Sequence, residues 1–195
     1  MTIELTDRIE MADSDELSLD MMFDWLKRMP VPEGYKVEIV EGAIYMSPQR
    51  DTHWDIILNV VEQLRTKYPR VRVKNDVRVD YPGYLNGFCS DVALVKEGAS
   101  KDADGHWQYQ DIVFVAEVIS SGTAKNDYGP KRDAYARAGV SVYLIVDPYT
   151  GQCHLFTEPK DGTYRTGPAI KFGDPIDLTD TVLGLTLTTD EFPRD

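Results

Sequence analysis

The segment from Ile112 to Ile119 constrains the fold more than any other part of the chain. Its sequence, IVFVAEVI, is an almost unbroken apolar run, which is typical of a β-strand covered on both faces, as in a sheet between helices. The exception is Glu117, whose carboxylate is costly to bury unless it is paired or bound to a cation. The run therefore predicts an α/β core that contains a charged site.

The length and composition indicate one folded domain. The chain has 195 residues with 42% hydrophobic and 28% charged side chains, which is ordinary for a soluble globular protein. Residues 1–16 are acidic and lack a sustained apolar period, so we predict a flexible acidic tail followed by a single domain over residues 17–195. The chain has neither an apolar run of the roughly 20 residues that cross a bilayer nor a basic secretory leader. We therefore expect a cytoplasmic protein without a membrane segment.

Periodic patterns predict a mixed β-sheet flanked by helices. Apolar residues recur at helical spacing from Leu19 to Leu26, behind a cap at Ser18 or Asp20, and again from Ile56 to Leu64, behind a cap at Asp51 or Thr52. Two β-rich segments flank Glu41-Gly42, which predicts a tight hairpin. The order strand, helix, strand over residues 112–146 predicts two parallel strands, because such crossovers join parallel neighbours.

Two acids and a lysine are the candidates for chemistry. Asp91 opens a strand-like segment, and Glu117 ends the apolar strand. If these strands are neighbours, both carboxylates meet at one edge of the sheet and offer the hard oxygen ligands that Mg²⁺ or Mn²⁺ prefers. Asp127, Lys131 and Tyr135 share one face of a predicted helix over residues 127–138. Each acid alone is also consistent with an ordinary salt bridge, and the Asp127–Lys131 pair with surface decoration of a helix.

The charge distribution limits how nucleic acid could bind. The formal net charge of −12 repels phosphate backbones unless a local basic face is present. One basic stretch is available, and it consists of Arg65, Lys67, Arg70, Arg72, Lys74 and Arg78. These residues indicate either a binding surface or an edge strand protected from aggregation.

The order and spacing of several motifs resemble the Uma2-like family of the PD-(D/E)XK nuclease superfamily. They are the run Tyr35 to Gly42, His53 at a helix start, Ser90-Asp91, Val115 to Ser121, Asp127 to Lys131 and Tyr135 to Val140. The resemblance covers residues 17–156 and implies a restriction-endonuclease-like fold.

The resemblance also implies a set of site residues. Asp91 and Glu117 would ligate Mg²⁺ or Mn²⁺, and the backbone carbonyl of Val118 would contact the same ion. Lys131 would assist hydrolysis of a phosphodiester. Glu38 would be the additional acid that orients water or a second ion.

Three positions depart from the pattern of this superfamily. Ser90 stands where a proline usually precedes the aspartate, which is a mild change because that proline does no chemistry. Ile119 stands where the motif has its lysine, and Lys131 on the following helix matches the usual replacement in the family. Ala43 stands where a carboxylate commonly follows the hairpin glycine.

The sequence thus predicts a magnesium-dependent endonuclease that acts on nucleic acid, most simply DNA. His53, Arg70, Arg72 and Lys74 would contact the nucleic acid, although His53 is equally consistent with a satisfied capping histidine. A homodimer is expected because many nucleases with one site per chain pair to cut two strands. Two alternatives remain open: a nuclease-fold protein that binds nucleic acid or assembles without turnover, and an enzyme that acts on a nucleotide or a phosphorylated small molecule.

Overall fold

A computed structural model describes residues 17–195, and the acidic tail predicted for residues 1–16 lies outside the described residues. The helices are α1 (Leu19–Leu26), α2 (Asp51–Arg65), α3 (Ala124–Asn126) and α4 (Arg132–Ala138), with a π-helical turn at Asp127–Lys131 and short 3-10 turns at Arg70–Arg72 and Tyr109–Asp111. The strands are β1 (Tyr35–Val40), β2 (Ala43–Pro48), β3 (Val73–Lys74), β4 (Val77–Tyr81), β5 (Asn86–Ser90), β6 (Val92–Val95), β7 (Trp107–Gln108), β8 (Ile112–Val118), β9 (Val142–Asp147), β10 (Gln152–Lys160), β11 (Thr163–Thr166), β12 (Ile170–Lys171), β13 (Ile176–Asp177) and β14 (Thr186–Leu187).

The strands form two large sheets and one small one. The first has the order β2-β1-β5-β4-β7, and the second has the order β11-β10-β9-β8-β6-β3, with β12 beside β10. Strands β13 and β14 form a separate pair. In the second sheet β8 is antiparallel to β6 and parallel to β9. The predicted mixed sheet, including its parallel pair around the crossover, is therefore confirmed.

The N-terminal helix and hairpin follow the predicted pattern. The Ser18 hydroxyl accepts a hydrogen bond from the backbone N–H of Met21 at 3.3 Å and caps α1. The turn between β1 and β2 places Glu41 at φ 51° and Gly42 at φ 75°, the two positive angles that a type I′ hairpin requires. Helix α1 crosses β5 at Gly87, where an added methyl group would lie 2.5 Å from the Phe23 ring.

Helix α2 has the predicted apolar stripe but a different start. Ile56, Ile57, Val60 and Leu64 are all buried. The residue at the N-cap position is Arg50, which makes no side-chain capping bond, so the predicted cap at Asp51 or Thr52 was wrong. Asp51 instead lies in the first helical turn, where a negative charge interacts favourably with the helix dipole.

Strand β8 is covered on both faces. Phe114, Ala116 and Val118 pack into one core together with residues of α2, whereas Val115 and Ile119 pack into a second core. This confirms the burial predicted from the unbroken apolar run. Glu117 belongs to the same face of the strand as Val115 and Ile119, because side chains alternate along a strand, and it is 1% exposed.

The helix after β8 begins earlier and is less regular than predicted. It starts at Ala124 rather than Asp127, and its middle turn, Asp127–Lys131, is a π-helical segment with non-helical angles at Gly129. Pro130 lies in this turn, and proline has no backbone N–H and collides with the carbonyl four residues earlier. The widened turn buries the side chains of both Asp127 and Lys131. Among residues 17–195, no helix is long and apolar enough to span a membrane.

Candidate active site

Four acids and two lysines are buried together where the two large sheets meet the π-helical turn. We call them the buried charge cluster, and with their exposed fractions they are Lys36 (7%), Glu38 (8%), Asp91 (3%), Glu117 (1%), Asp127 (5%) and Lys131 (1%). Four carboxylates and two ammonium groups leave a formal charge of two negative units. Burial of such groups is costly unless each is paired or bound to a cation, so the arrangement requires internal pairing.

Asp91 and Glu117 lie opposite each other on neighbouring strands. The antiparallel register pairs Val92 with Ala116. The adjoining positions in this register are Asp91 and Glu117, so these two residues face each other. The Asp91 N–H donates to Glu117 Oε2 at 3.4 Å, and the Val118 N–H donates to Asp91 Oδ2 at 2.8 Å. The structure therefore brings together the two carboxylates that the sequence singled out.

Lys36 bridges these two carboxylates, and sequence reasoning did not identify it. Its Nζ lies 2.8 Å from Asp91 Oδ1, 3.3 Å from Glu117 Oε2 and 3.7 Å from Glu38 Oε2. One signal was available in the sequence, because residues two apart on a strand share a face. Lys36 and Glu38 are such a pair on β1, so the reasoning that placed Glu38 in the site would have extended to Lys36, although the prediction did not include it.

Lys131 is enclosed by three carboxylates. Its Nζ lies 2.8 Å from Glu117 Oε1, 3.0 Å from Glu38 Oε2 and 3.0 Å from Asp127 Oδ1. It donates hydrogen bonds to both carboxylate oxygens of Glu38 and forms ion pairs with the other two acids. Lys131 thereby joins β1, β8 and the π-helical turn into one unit.

Tyr135 completes the environment of Glu117. Its hydroxyl donates to Glu117 Oε1 at 2.6 Å and lies 3.0 Å from the Ser90 hydroxyl. On the other side of the cluster, the Cys89 N–H donates to Glu38 Oε1 at 2.9 Å. The helical face predicted to carry Asp127, Lys131 and Tyr135 thus does point at Glu117.

The ion pairs and the burial shift the pKa values of the cluster in different directions. Burial alone would raise the pKa of Glu117, but Lys131 and Lys36 outweigh it and lower that pKa to about 2. Burial raises the pKa of Asp127 to about 7, because Lys131 only partly offsets it and Glu117 and Glu38 add to it. Burial would lower the pKa of Lys36, but Asp91 and Glu117 hold it well above its usual value. Glu117 is therefore ionised at neutral pH, whereas Asp127 takes up a proton more readily than an ordinary aspartate.

His53 contacts the backbone carbonyl that was predicted to bind metal. Its Nε2 lies 3.0 Å from the oxygen of Val118, and its Nδ1 is buried without a hydrogen-bond partner among the described residues. Burial lowers the pKa of His53, so the ring is neutral at pH 7 and donates through Nε2–H. A carbonyl oxygen has two lone pairs, so the bond from His53 uses one of the two.

The buried charge cluster has the chemistry of a divalent metal site. Its donors are carboxylate oxygens, which suit Mg²⁺ and Mn²⁺. Its carboxylates outnumber its ammonium groups, which favours binding of a further cation. Moreover, Lys36 Nζ already touches both Asp91 and Glu117, so one cation can reach both carboxylates. The residues present therefore fit the predicted ion.

A second group of charged residues lies on the surface. Asp20, Asp80 and His106 offer ligand atoms that all lie within 4.8 Å of one another, and Arg78 donates to both acids at 2.7 Å. We call Asp20, Arg78, Asp80 and His106 the surface charge cluster. The Asp20 and Asp80 side chains are 74% and 40% exposed. Arg78 is shared by these two acids and both of them are accessible to solvent, so the cluster does not require a metal ion.

The predicted basic stretch does not reach the cleft around the buried charge cluster. His53 lines that cleft, whereas Arg70, Arg72 and Lys74 are absent from its lining. Arg72 donates to the carbonyl of Val95 at 2.8 Å, and Lys74 Nζ lies 4.5 Å from the centre of the Trp107 ring. Their predicted role in nucleic-acid binding stays a prediction.

Comparison with known proteins identifies a family and a fold. A family model, Uma2, described as "Putative restriction endonuclease", matches residues 23–190. A crystal structure described as "a putative nuclease belonging to DUF820", from Anabaena variabilis, matches with a TM-score of 0.67 and 13% sequence identity, covering 90% of this chain and 97% of that chain. At this identity the similarity shows the fold alone. No protein with a curated description matches the chain.

Proposed function

The chain belongs to the Uma2 family, whose description is "Putative restriction endonuclease", and from that premise we propose that it is a metal-dependent nuclease that hydrolyses phosphodiester bonds in DNA. The single observation that carries the proposal is the pair Asp91 and Glu117. Both carboxylates are almost fully buried, and both contact one shared cation, the ammonium group of Lys36.

Asp91, Glu117 and the carbonyl of Val118 would hold Mg²⁺ or Mn²⁺. A divalent ion at this position supplies Lewis acidity toward a phosphate and lowers the pKa of water. The rest of the chemistry falls to the protein. Tyr135 and Lys131 fix the orientation of Glu117, and His53 fixes the carbonyl of Val118. This preorganisation holds the ligands in place before a substrate arrives.

Lys131 and Glu38 would act on the substrate side of the site. In this proposal Lys131 stabilises the negative charge that develops on the phosphate, as fixed cations do in buried sites. Glu38 orients water, and its own position is fixed by Lys131 and by the N–H of Cys89.

Cleavage of plasmid and short duplex DNA in the presence of Mg²⁺ tests the proposal. The wild type is expected to cut, and EDTA is expected to stop the reaction. Glu117→Gln keeps the shape of the side chain but removes its charge, so activity is expected to disappear. Asp80→Asn in the surface charge cluster is the matched control and should retain activity. Equal rates for wild type and Glu117→Gln would remove Glu117 from the mechanism.

A nucleic-acid-binding protein without turnover is the second candidate. It is favoured by the three carboxylates that surround the Lys131 ammonium group at 2.8 to 3.0 Å and already offset its positive charge, and by the net charge of −12. Titration calorimetry with Mn²⁺ separates the two candidates, because absence of binding at millimolar metal favours this second candidate.

A homodimer, a cytoplasmic location and the single domain over residues 17–195 stay predictions from the sequence.

A further inference from the structure

The two lysines of the buried charge cluster occupy different positions. Lys131 contacts Glu38, Glu117 and Asp127 at 2.8 to 3.0 Å and holds three elements together. Lys36 has only one contact of that length, the 2.8 Å pair with Asp91, and its other two carboxylate distances are 3.3 and 3.7 Å. Lys36 therefore has the longer ion-pair distances of the two ammonium groups.

We propose that Lys36 is an exchangeable internal cation, which holds Asp91 and Glu117 together without metal and is displaced when a divalent ion binds there. This inference rests on the proposed function, because it requires a metal ion at that pair. It assigns Lys36 a role that differs from that of Lys131. Lys131 keeps the site assembled, whereas Lys36 determines how strongly the site binds an ion.

Geometry makes the two cations mutually exclusive. Mg²⁺ binds carboxylate oxygens at about 2.0–2.1 Å, and Lys36 Nζ already lies 2.8 Å from Asp91 Oδ1 and 3.3 Å from Glu117 Oε2. An ion that is bound by both oxygens would occupy nearly the same space as Nζ. The positive charges would also repel each other strongly in a buried environment. Nζ must therefore move for the ion to bind.

The cleft provides a place for the displaced ammonium group. Lys36 lies in the lining of the cleft together with Ser47, Gln49, Ser120 and Thr123, whose side chains and backbone carbonyls accept hydrogen bonds. Ser47 is also the cross-strand partner of Lys36 in the β1–β2 pair. These groups offer hydrogen-bond acceptors to a displaced Nζ.

Calorimetric titration with Mn²⁺ tests the exchange. Lys36→Met removes the competing charge and keeps the aliphatic stem, so the Mn²⁺ affinity is expected to increase by about tenfold or more. Lys131→Met removes the same charge without freeing the Asp91–Glu117 pair, and a smaller gain is expected. Arg165→Met, which removes a positive charge from an exposed pair with the single acid Glu158, should leave the affinity unchanged. An affinity for Lys36→Met that is equal to or weaker than that of wild type overturns the inference.

A double variant protects the test against loss of folding. Lys36→Met combined with Asp127→Asn removes one positive and one negative charge and so restores the formal charge of the cluster. Its Mn²⁺ affinity should still exceed that of Asp127→Asn alone, and Mn²⁺ should raise its melting temperature more than that of Asp127→Asn. Equal affinities in this second pair overturn the inference even if Lys36→Met does not fold.

A crystal structure of the wild type with Mn²⁺ gives a direct readout. The ion is expected between Asp91 and Glu117, with Lys36 Nζ no longer in contact with either carboxylate. An ion at that pair with Nζ still on Asp91 overturns the exchange alone. Absence of Mn²⁺ binding in wild type and in all variants overturns the exchange and the proposed nuclease together, so the two failures are distinguishable.

Discussion

The buried charge cluster and the surface charge cluster consist of the same kinds of residues at the same kinds of distances. In the first, Lys131 contacts its acids at 2.8 to 3.0 Å, and in the second Arg78 contacts Asp20 and Asp80 at 2.7 Å. The difference lies in solvent access. Asp20 and Asp80 have 74% and 40% of their side chains exposed, whereas every side chain of the buried cluster is at most 11% exposed.

This comparison shows that ion-pair distance alone does not determine what a charge contributes. Water compensates an exposed group that loses its partner, and such pairs contribute little to stability. A buried group that loses its partner remains uncompensated, and the loss is large. The buried charge cluster is therefore a set of interdependent groups, while the surface charge cluster consists of nearly independent ones.

The largest expected effect is that of Lys131→Met on stability. It leaves three carboxylates without their common partner, and we expect the free energy of unfolding to fall by about 3–5 kcal/mol. Urea denaturation at pH 7 measures this. Asp80→Asn serves as the control and should change it by at most about 1 kcal/mol. A loss below about 1 kcal/mol for Lys131→Met would mean that ion pairs contribute equally to stability in the two clusters.

The next largest effect is expected from Asp91→Asn on cleavage. The amide keeps the size of the side chain but removes the charge from one of the two proposed metal ligands, so the Mg²⁺-dependent rate should fall by about a hundredfold or more. Initial rates on plasmid DNA measure this, with Asp20→Asn expected to stay within about twofold of wild type. Full activity of Asp91→Asn would contradict the proposed metal site.

The pH dependence of stability should separate Asp127 from the other acids. Its pKa is about 7 in the folded protein, compared with the ordinary value of 3.8. Between these two values the folded state binds a proton that the unfolded state has lost, so stability decreases as the pH rises from about 4 through 7. Between pH 5 and 8 the free energy of unfolding should decrease by about 1–3 kcal/mol for this reason.

Asp127→Asn isolates this contribution. Folding lowers the pKa of His53. Its contribution to the free energy of unfolding therefore increases as the pH rises through about 6.5, which is opposite to the effect of Asp127. It is present in both proteins, so the difference between wild type and Asp127→Asn reports Asp127. Parallel stability curves from pH 5 to 8 would show that Asp127 does not titrate in this range.

The smallest effect is expected from Asp20→Asn in the surface charge cluster. Its partner Arg78 still forms an ion pair with Asp80 in this variant, so the stability loss should lie below about 1 kcal/mol at low salt. That loss should vanish near 1 M NaCl, where the screening length is about 3 Å. Urea denaturation at both salt concentrations measures it, and a loss that persists in 1 M NaCl would show that this cluster behaves as a buried one.

Local patterns in the sequence predicted most of the elements and part of the site. The apolar run at residues 112–119 predicted the central strand, and the spacing of Asp127, Lys131 and Tyr135 predicted the face that points at Glu117. The start of that helix and the cap of α2 were predicted wrongly. Both depend on backbone detail, namely the proline-containing π-helical turn and the extended conformation of Arg50.

The sequence by itself determined the family, the order of strands and helices, and the residue types available for a metal site. Only the tertiary structure decided which of them meet. Lys36 and Asp91 are 55 residues apart, and Lys131 and Glu38 are 93 residues apart. Periodicity reports neighbours two to four residues away, whereas these contacts depend on the pairing of β1 with β5 and on the packing of a helix over β8. The role proposed for Lys36 follows from that packing.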